Sequence, residues 1–87
     1  MDPIERLAEA LAIEPPSAPE TAAILSAARD VAHTMERRIT PVSTFLLGIG
    51  VERRIAAGSS REDAFAAALA DLRSAVPDAD ERADPSV

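Results

Sequence analysis

Asp30, His33, Arg37 and Arg38 form the one cluster in this sequence whose residue types and spacing suggest chemistry. On a helix, residues three and four apart are neighbours, so Asp30 lies beside His33 and His33 beside Arg37. Arg38 follows where the chain turns toward Pro41, and Ser43 and Thr44 come just after. A helix starting at Pro41 leaves its first backbone N–H groups without intrahelical partners, at the positive end of its dipole. Free amides, two hydroxyls and two guanidinium groups describe a site for an anion or phosphate, with Asp30 orienting the imidazole. The same atoms have a purely structural use. The arginines can satisfy the last carbonyls of the helix before the turn, and Thr40 can cap the helix after it. Catalysis has less to stand on, because Asp30 and His33 lack a nucleophile at a diagnostic spacing. No residue is assigned as catalytic.

The element that must position this cluster is the apolar stretch from Thr40 to about Ala57. Thr40 is the expected N-cap, and Pro41 suits the first helical position because it has no N–H to leave unpaired. At 100° per residue, Val42, Ile49 and Ala56 fall on the side of Phe45, while Leu47, Val51 and Ile55 form a second stripe. A helix apolar on two sides is expected to be enclosed on both, with its middle as ordinary core. The Leu47, Val51, Ile55 stripe is open to two readings: cover by the first helix, or the face of a dimer or partner dock. Gly48 and Gly50 each cost about 1 kcal/mol relative to alanine inside a helix, which points to close approach of a neighbouring helix or to a slight kink. They do not make a dinucleotide fingerprint, which needs a strand before the glycines and a helix after them.

The rest of the chain reads as helices with short connections. Asp2-Pro3-Ile4-Glu5 is a helix start, and Ile4, Leu7, Ala8 and Leu11 give the helix of about 3–13 one apolar face. Pro15-Pro16 stops it, and residues 17–19 connect to a helix at about 20–37 with Ile24, Leu25, Ala28, Val31, Ala32 and Met35 as its buried stripe. A third helix at about 41–57 ends at Gly58 as a C′ residue. Ser59 with Glu62, or Ser60 with Asp63, opens a fourth at about 60–76, carrying Phe65, Ala68, Leu69, Leu72 and Val76 at helical spacing. Residues 1–76 thus read as a single all-α domain, a compact four-helix bundle around a hydrophobic third helix. Residues 77–87 read as a disordered acidic tail.

Composition narrows the function. The 87 residues carry a net charge of −6, which argues against a nucleic-acid partner, and Phe45 and Phe65 are the only aromatic residues that could stack on bases. All nine basic residues are arginine, and Lys, Asn and Gln are absent, as a GC-rich coding bias would give. With no cysteine and one histidine, neither a disulfide nor an all-protein zinc site is expected. No motif implies a cofactor. The Met1-Asp2-Pro3 start shows no basic n-region, and no apolar run is long enough to span a bilayer, so a cytoplasmic location with no membrane partner is expected. Nineteen alanines supply little core volume, so large apolar side chains must be used efficiently or buried against a second subunit.

The central stretch reads Asp30-Val31-Ala32-His33-Thr34-Met35-Glu36-Arg37 and then Pro41-Val42-Ser43-Thr44-Phe45-Leu46-Leu47-Gly48. This resembles a small domain family of unknown function from high-GC Gram-positive bacteria. Its members read Asp-Val-Ala-His, an arginine a few residues on, then Pro-x-Thr-Thr-Phe-Leu-x-Gly. Some stand alone, and others are fused to the C-terminus of molybdenum-cofactor guanylyltransferases. The resemblance covers about residues 22–57 and matches at Asp30, His33, Arg37, Pro41, Thr44, Phe45, Leu46 and Gly48. The chain departs from it at Arg38-Ile39-Thr40, where Pro-Ala-Ala is usual, and at Ser43, where threonine is common. A rigid turn is replaced by a more flexible, more basic one.

Two functions follow as expectations. The first is a non-catalytic accessory or protein-interaction module, docking through an apolar helix face as a homodimer or on a partner. The resemblance implies that this partner is a molybdenum-cofactor guanylyltransferase, tying the chain to molybdopterin guanine dinucleotide biosynthesis. The second is a binder holding a phosphate or pterin nucleotide at His33, Arg37, Arg38, Ser43 and Thr44. An enzyme is the weakest reading.

Overall fold

Three of the four helices are opened by a side chain that takes up backbone N–H groups otherwise left unpaired. The computed structural model describes residues 1–77; the acidic tail expected beyond Pro77 lies outside them. In α1 (Pro3–Ala10), the Asp2 carboxylate accepts the Glu5 N–H at 2.8 Å, and the Asp2 N–H donates to the Glu5 carboxylate. The helix stops short of the expected 3–13. Ala12 adopts φ 57, and the N–H groups of Ala12 and Ile13 close back on the carbonyls of Glu9 and Ala8, each at 3.0 Å. This is a Schellman ending with alanine where glycine is usual, at a cost of about 1–2 kcal/mol.

Helix α2 (Ala18–Thr34) begins and ends earlier than the expected 20–37. Ser17 belongs to its cap: the Ser17 hydroxyl accepts the Glu20 N–H at 3.2 Å, and the Ser17 N–H donates to Glu20 at 2.9 Å. At the far end the Thr34 hydroxyl donates to the Asp30 carbonyl at 2.6 Å, and the helix gives way to a 3-10 turn over Arg37–Ile39. That turn runs straight into α3 (Thr40–Ala56), whose N-cap is Ile39 in helical conformation with no side-chain cap, and not Thr40. Helix α3 ends at Gly58, with φ 113, where the Gly58 and Ser59 N–H groups bond the carbonyls of Ile55 and Arg54. Of the two candidate boxes before α4 (Arg61–Ala75), Ser60 is the cap, accepting the Asp63 N–H at 3.1 Å.

Ion pairs fix the helix directions. Arg61 at the start of α4 makes two parallel bonds of 3.1 Å to Glu20 at the start of α2. Near the other end, Arg73 reaches Asp30 at 2.7 Å and the Ser26 hydroxyl at 3.1 Å. Helices α2 and α4 therefore run in the same direction, and α3 packs on both. Arg54 of α3 also pairs with Asp71 of α4.

The result is an all-α bundle of four helices with an uneven core. Leu47 and Val51 of α3 are 6% and 8% exposed and pack on Ala64 and Ala68 of α4, with Ile24, Ile55, Phe65, Leu69 and Leu72 around them. Helix α2 buries Ala27, Val31 and Thr34, so its inner face is rotated from the expected one, and Leu25 and Met35 are exposed. Helix α1 contributes only Ala8 to the buried set; Ile4, Leu7 and Leu11 of its apolar face are exposed.

The Glu20 carboxylate is held below the ordinary glutamate range, first by the Ser17 backbone N–H and then by the Arg61 guanidinium. Because its folded value is depressed, the unfolded chain takes up the proton at higher pH than the folded chain does. The stability it contributes is present at neutral pH and is lost as pH falls below the ordinary glutamate range. Urea unfolding between neutral pH and pH ~3 checks this: the Glu20→Gln variant is expected to lose stability less steeply on acidification than the wild type, and equal slopes would refute it.

Candidate functional site

The α2–α3 turn does not assemble the cluster in the way its spacing suggests. Asp30 turns to Arg73 of α4, so its carboxylate ties two helices together. His33 is in the last turn of α2 and exposed, whereas Arg37 is already in the 3-10 turn and is no longer a helical neighbour of His33. Arg38 is exposed and pairs with Glu36 at 3.1 Å. Ser43 is buried, and its hydroxyl donates to the Thr40 carbonyl at 2.6 Å. The Thr44 hydroxyl donates to the Pro41 carbonyl at 2.9 Å. Both hydroxyls therefore spend their protons on their own helix, as Ser and Thr in a first turn commonly do. The N–H groups of Ile39 and Thr40 bond back to Glu36 and Arg37, so the 3-10 turn leads into α3 without a break.

Thr40 occupies an awkward place in this turn. Displaced from the cap position, its Oγ1 is buried with no hydrogen-bond partner among the described residues. An unpaired buried hydroxyl costs about 1–3 kcal/mol.

The interface expected at Leu47, Val51 and Ile55 is corrected. Leu47 and Val51 belong to the core and Ile55 packs against it, because α4 presents small alanines that let α3 approach on this side. The cover is α4 with part of α2, and not the first helix. The Phe45 side, expected to be enclosed as well, is the exposed one. Phe45 is 61% exposed and Leu46 60%, with Val42 and Ile49 also open. These four stand at i, i+3, i+4 and i+7, the pattern of a single apolar helix face. Sequence periodicity found both stripes, but it carries no sign that tells which one the alanine face of α4 will choose.

Gly48 and Gly50 divide in the same way. A Cβ on Gly50 would meet the Ala68 Cβ at 3.7 Å, ordinary contact across the core, whereas a Cβ on Gly48 would meet nothing within 4 Å. Gly48 sits between Thr44, Phe45, Ile49, Glu52, Arg53 and Ala56, which outline a shallow groove of about 560 Å³ on the outer side of α3. A second groove, of about 550 Å³, has Ile24, Leu47, Val51 and Phe65 on its floor and is flanked by Ile13 and Pro16 of the α1–α2 connection. Among the described residues, no group of three His, Asp or Glu side chains is placed to hold a metal ion. Nor is any helix long and apolar enough to cross a membrane.

The domain of unknown function DUF6457 matches residues 3–84. The chain belongs to that family. The match takes in all four helices of the DUF6457 domain, beyond the central stretch. No curated protein and no solved structure matches it. In this DUF6457 chain the chemistry-bearing turn is largely committed to holding helices together, and apolar faces are left uncovered on α1 and on the outer side of α3.

Replacing the orphaned hydroxyl by a methyl group of the same shape tests the geometry of the turn. Thr40→Val is expected to raise stability by about 1 kcal/mol, a Tm gain of roughly 4–8 °C in a domain of this size. A fall in Tm would show that the hydroxyl has a partner.

Proposed function

We propose that this DUF6457 domain is a non-catalytic, cytoplasmic helical interaction module that docks through the outer face of α3. The observation that carries the reading is the exposure of Val42, Phe45, Leu46 and Ile49 together on one well-formed helix. Single exposed apolar residues are normal on a protein surface, but a contiguous set of four large ones marks a contact site. Laying such a face against a partner follows the usual helix-in-groove mode, with anchors at i, i+3, i+4 and i+7. The identity of the partner as a molybdenum-cofactor guanylyltransferase rests on the sequence resemblance alone.

The anion-binding alternative draws support from the exposed His33 and Arg37 beside the amino end of α3. It has lost the Ser43 and Thr44 hydroxyls to backbone carbonyls and Arg38 to Glu36, which leaves it the weaker of the two.

A photo-crosslinking amino acid placed at position 45 in cells that make the protein tests the docking reading directly. A discrete adduct is expected from position 45 and none from the same group at Glu9. No adduct from position 45 would end this reading.

A further inference from the structure

We propose that the occupant of the outer α3 face is a second copy of the same chain, packed α3 against α3 about a two-fold axis. The inference rests on the docking reading above and names its partner.

A two-fold interface must be self-complementary, because the same patch serves both subunits. The outer face of α3 meets that requirement within a few turns. Phe45, Ile49 and Arg53 stand four apart and form one ridge along the helix; Thr44, Gly48, Glu52 and Ala56 form the next. Between them runs the shallow groove, and the residues on its floor and far wall include Gly48 and Ala56, the smallest available. Two such helices can each lay the Phe45–Ile49 ridge into the other's groove, the arrangement in which i±4 ridges interdigitate.

Gly48 is the second observation. Inside a helix it is costly, and nothing in its own chain approaches its missing Cβ. Gly50 can be read through its neighbour Ala68, whereas Gly48 has no such neighbour. A second helix lying across the groove supplies one, since a side chain at this position would fill the space the ridge must enter.

Area and charge fit a second copy. The four apolar side chains expose on the order of 400 Å² per chain, Phe45 and Ile49 lining the groove and Val42 and Leu46 flanking their ridge, and this approaches the apolar share of a standard interface of ~800 Å² per partner. The whole chain carries −6, but the groove is flanked by Glu52 and Arg53, one charge of each sign. Two copies therefore meet there without a net like-charge clash.

The test is the mass of the purified full chain in solution at micromolar concentration, by sedimentation equilibrium. The wild type is expected at twice the 9.1 kDa chain mass. Phe45→Glu and Gly48→Leu are expected to weaken the dimer by at least about 30-fold, as loss of a central hot spot does. Leu7→Ser on α1 is expected to leave it intact. Gly48→Ala guards against a folding artefact: it is expected to raise thermal stability measured on dilute monomer while weakening association. A monomeric wild type would overturn the proposal, as would a dimer indifferent to both Phe45→Glu and Gly48→Leu. A monomeric wild type whose position-45 crosslink carries a different protein would remove the second copy but leave the docking face standing.

Discussion

The structure depends on one contact, the seating of Leu47 and Val51 of α3 against Ala64 and Ala68 of α4. Small side chains on α4 let the two helices approach closely, and that closeness decides which edge of α3 goes inside. An alanine-rich chain can form helices readily but cannot wrap a two-sided apolar helix on both sides. Once α4 takes the Leu47 edge, nothing covers the Phe45 edge, and Ile4, Leu7 and Leu11 of α1 stay exposed as well. Helix α2 offers Ala27 and Val31 to the interior, and α1 offers only Ala8.

Polar groups then hold this thin core in register. Glu20 caps α2 and grips Arg61 of α4 with the same carboxylate, so the starts of two parallel helices are tied together. Arg73 performs the matching task at the other end through Asp30 and Ser26. Exposed pairs of this kind contribute little stability each, and their value here is orientation. The consequence for function is direct. Asp30, which could have tuned an imidazole, is used as a strut, and the hydroxyls after the turn are used within α3. What the fold leaves unspent is apolar surface, and the proposed role of the domain follows from that remainder.

Much of the architecture was legible in the sequence. Proline and capping signals located four helices, and Gly58 stood out because a residue with positive φ is needed to end α3 there. The misreadings have physical reasons. Ser17 looked like a connection because its box is closed by Glu20 beyond an intervening Pro19. Thr40 looked like a cap, but the 3-10 turn over Arg37–Ile39 carries helical backbone one residue further back, and that turn depends on how α2 and α3 dock. The cluster at Asp30, His33 and Arg37 assumed one continuous helix, and the break after Thr34 separates its members. The two stripes of α3 were both visible, and the choice between them was not, because it is made by the alanines of α4 across the core.

Helix α3 is buried on its Leu47 edge and open on its Phe45 edge. Urea unfolding of Leu47→Ala and Phe45→Ala, at dilution sufficient to keep chains apart, measures this most directly. The account predicts a loss of about 2–5 kcal/mol for Leu47→Ala, or outright unfolding, and a change within about 0.5 kcal/mol for Phe45→Ala. Equal losses, or a larger loss at Phe45, would contradict it.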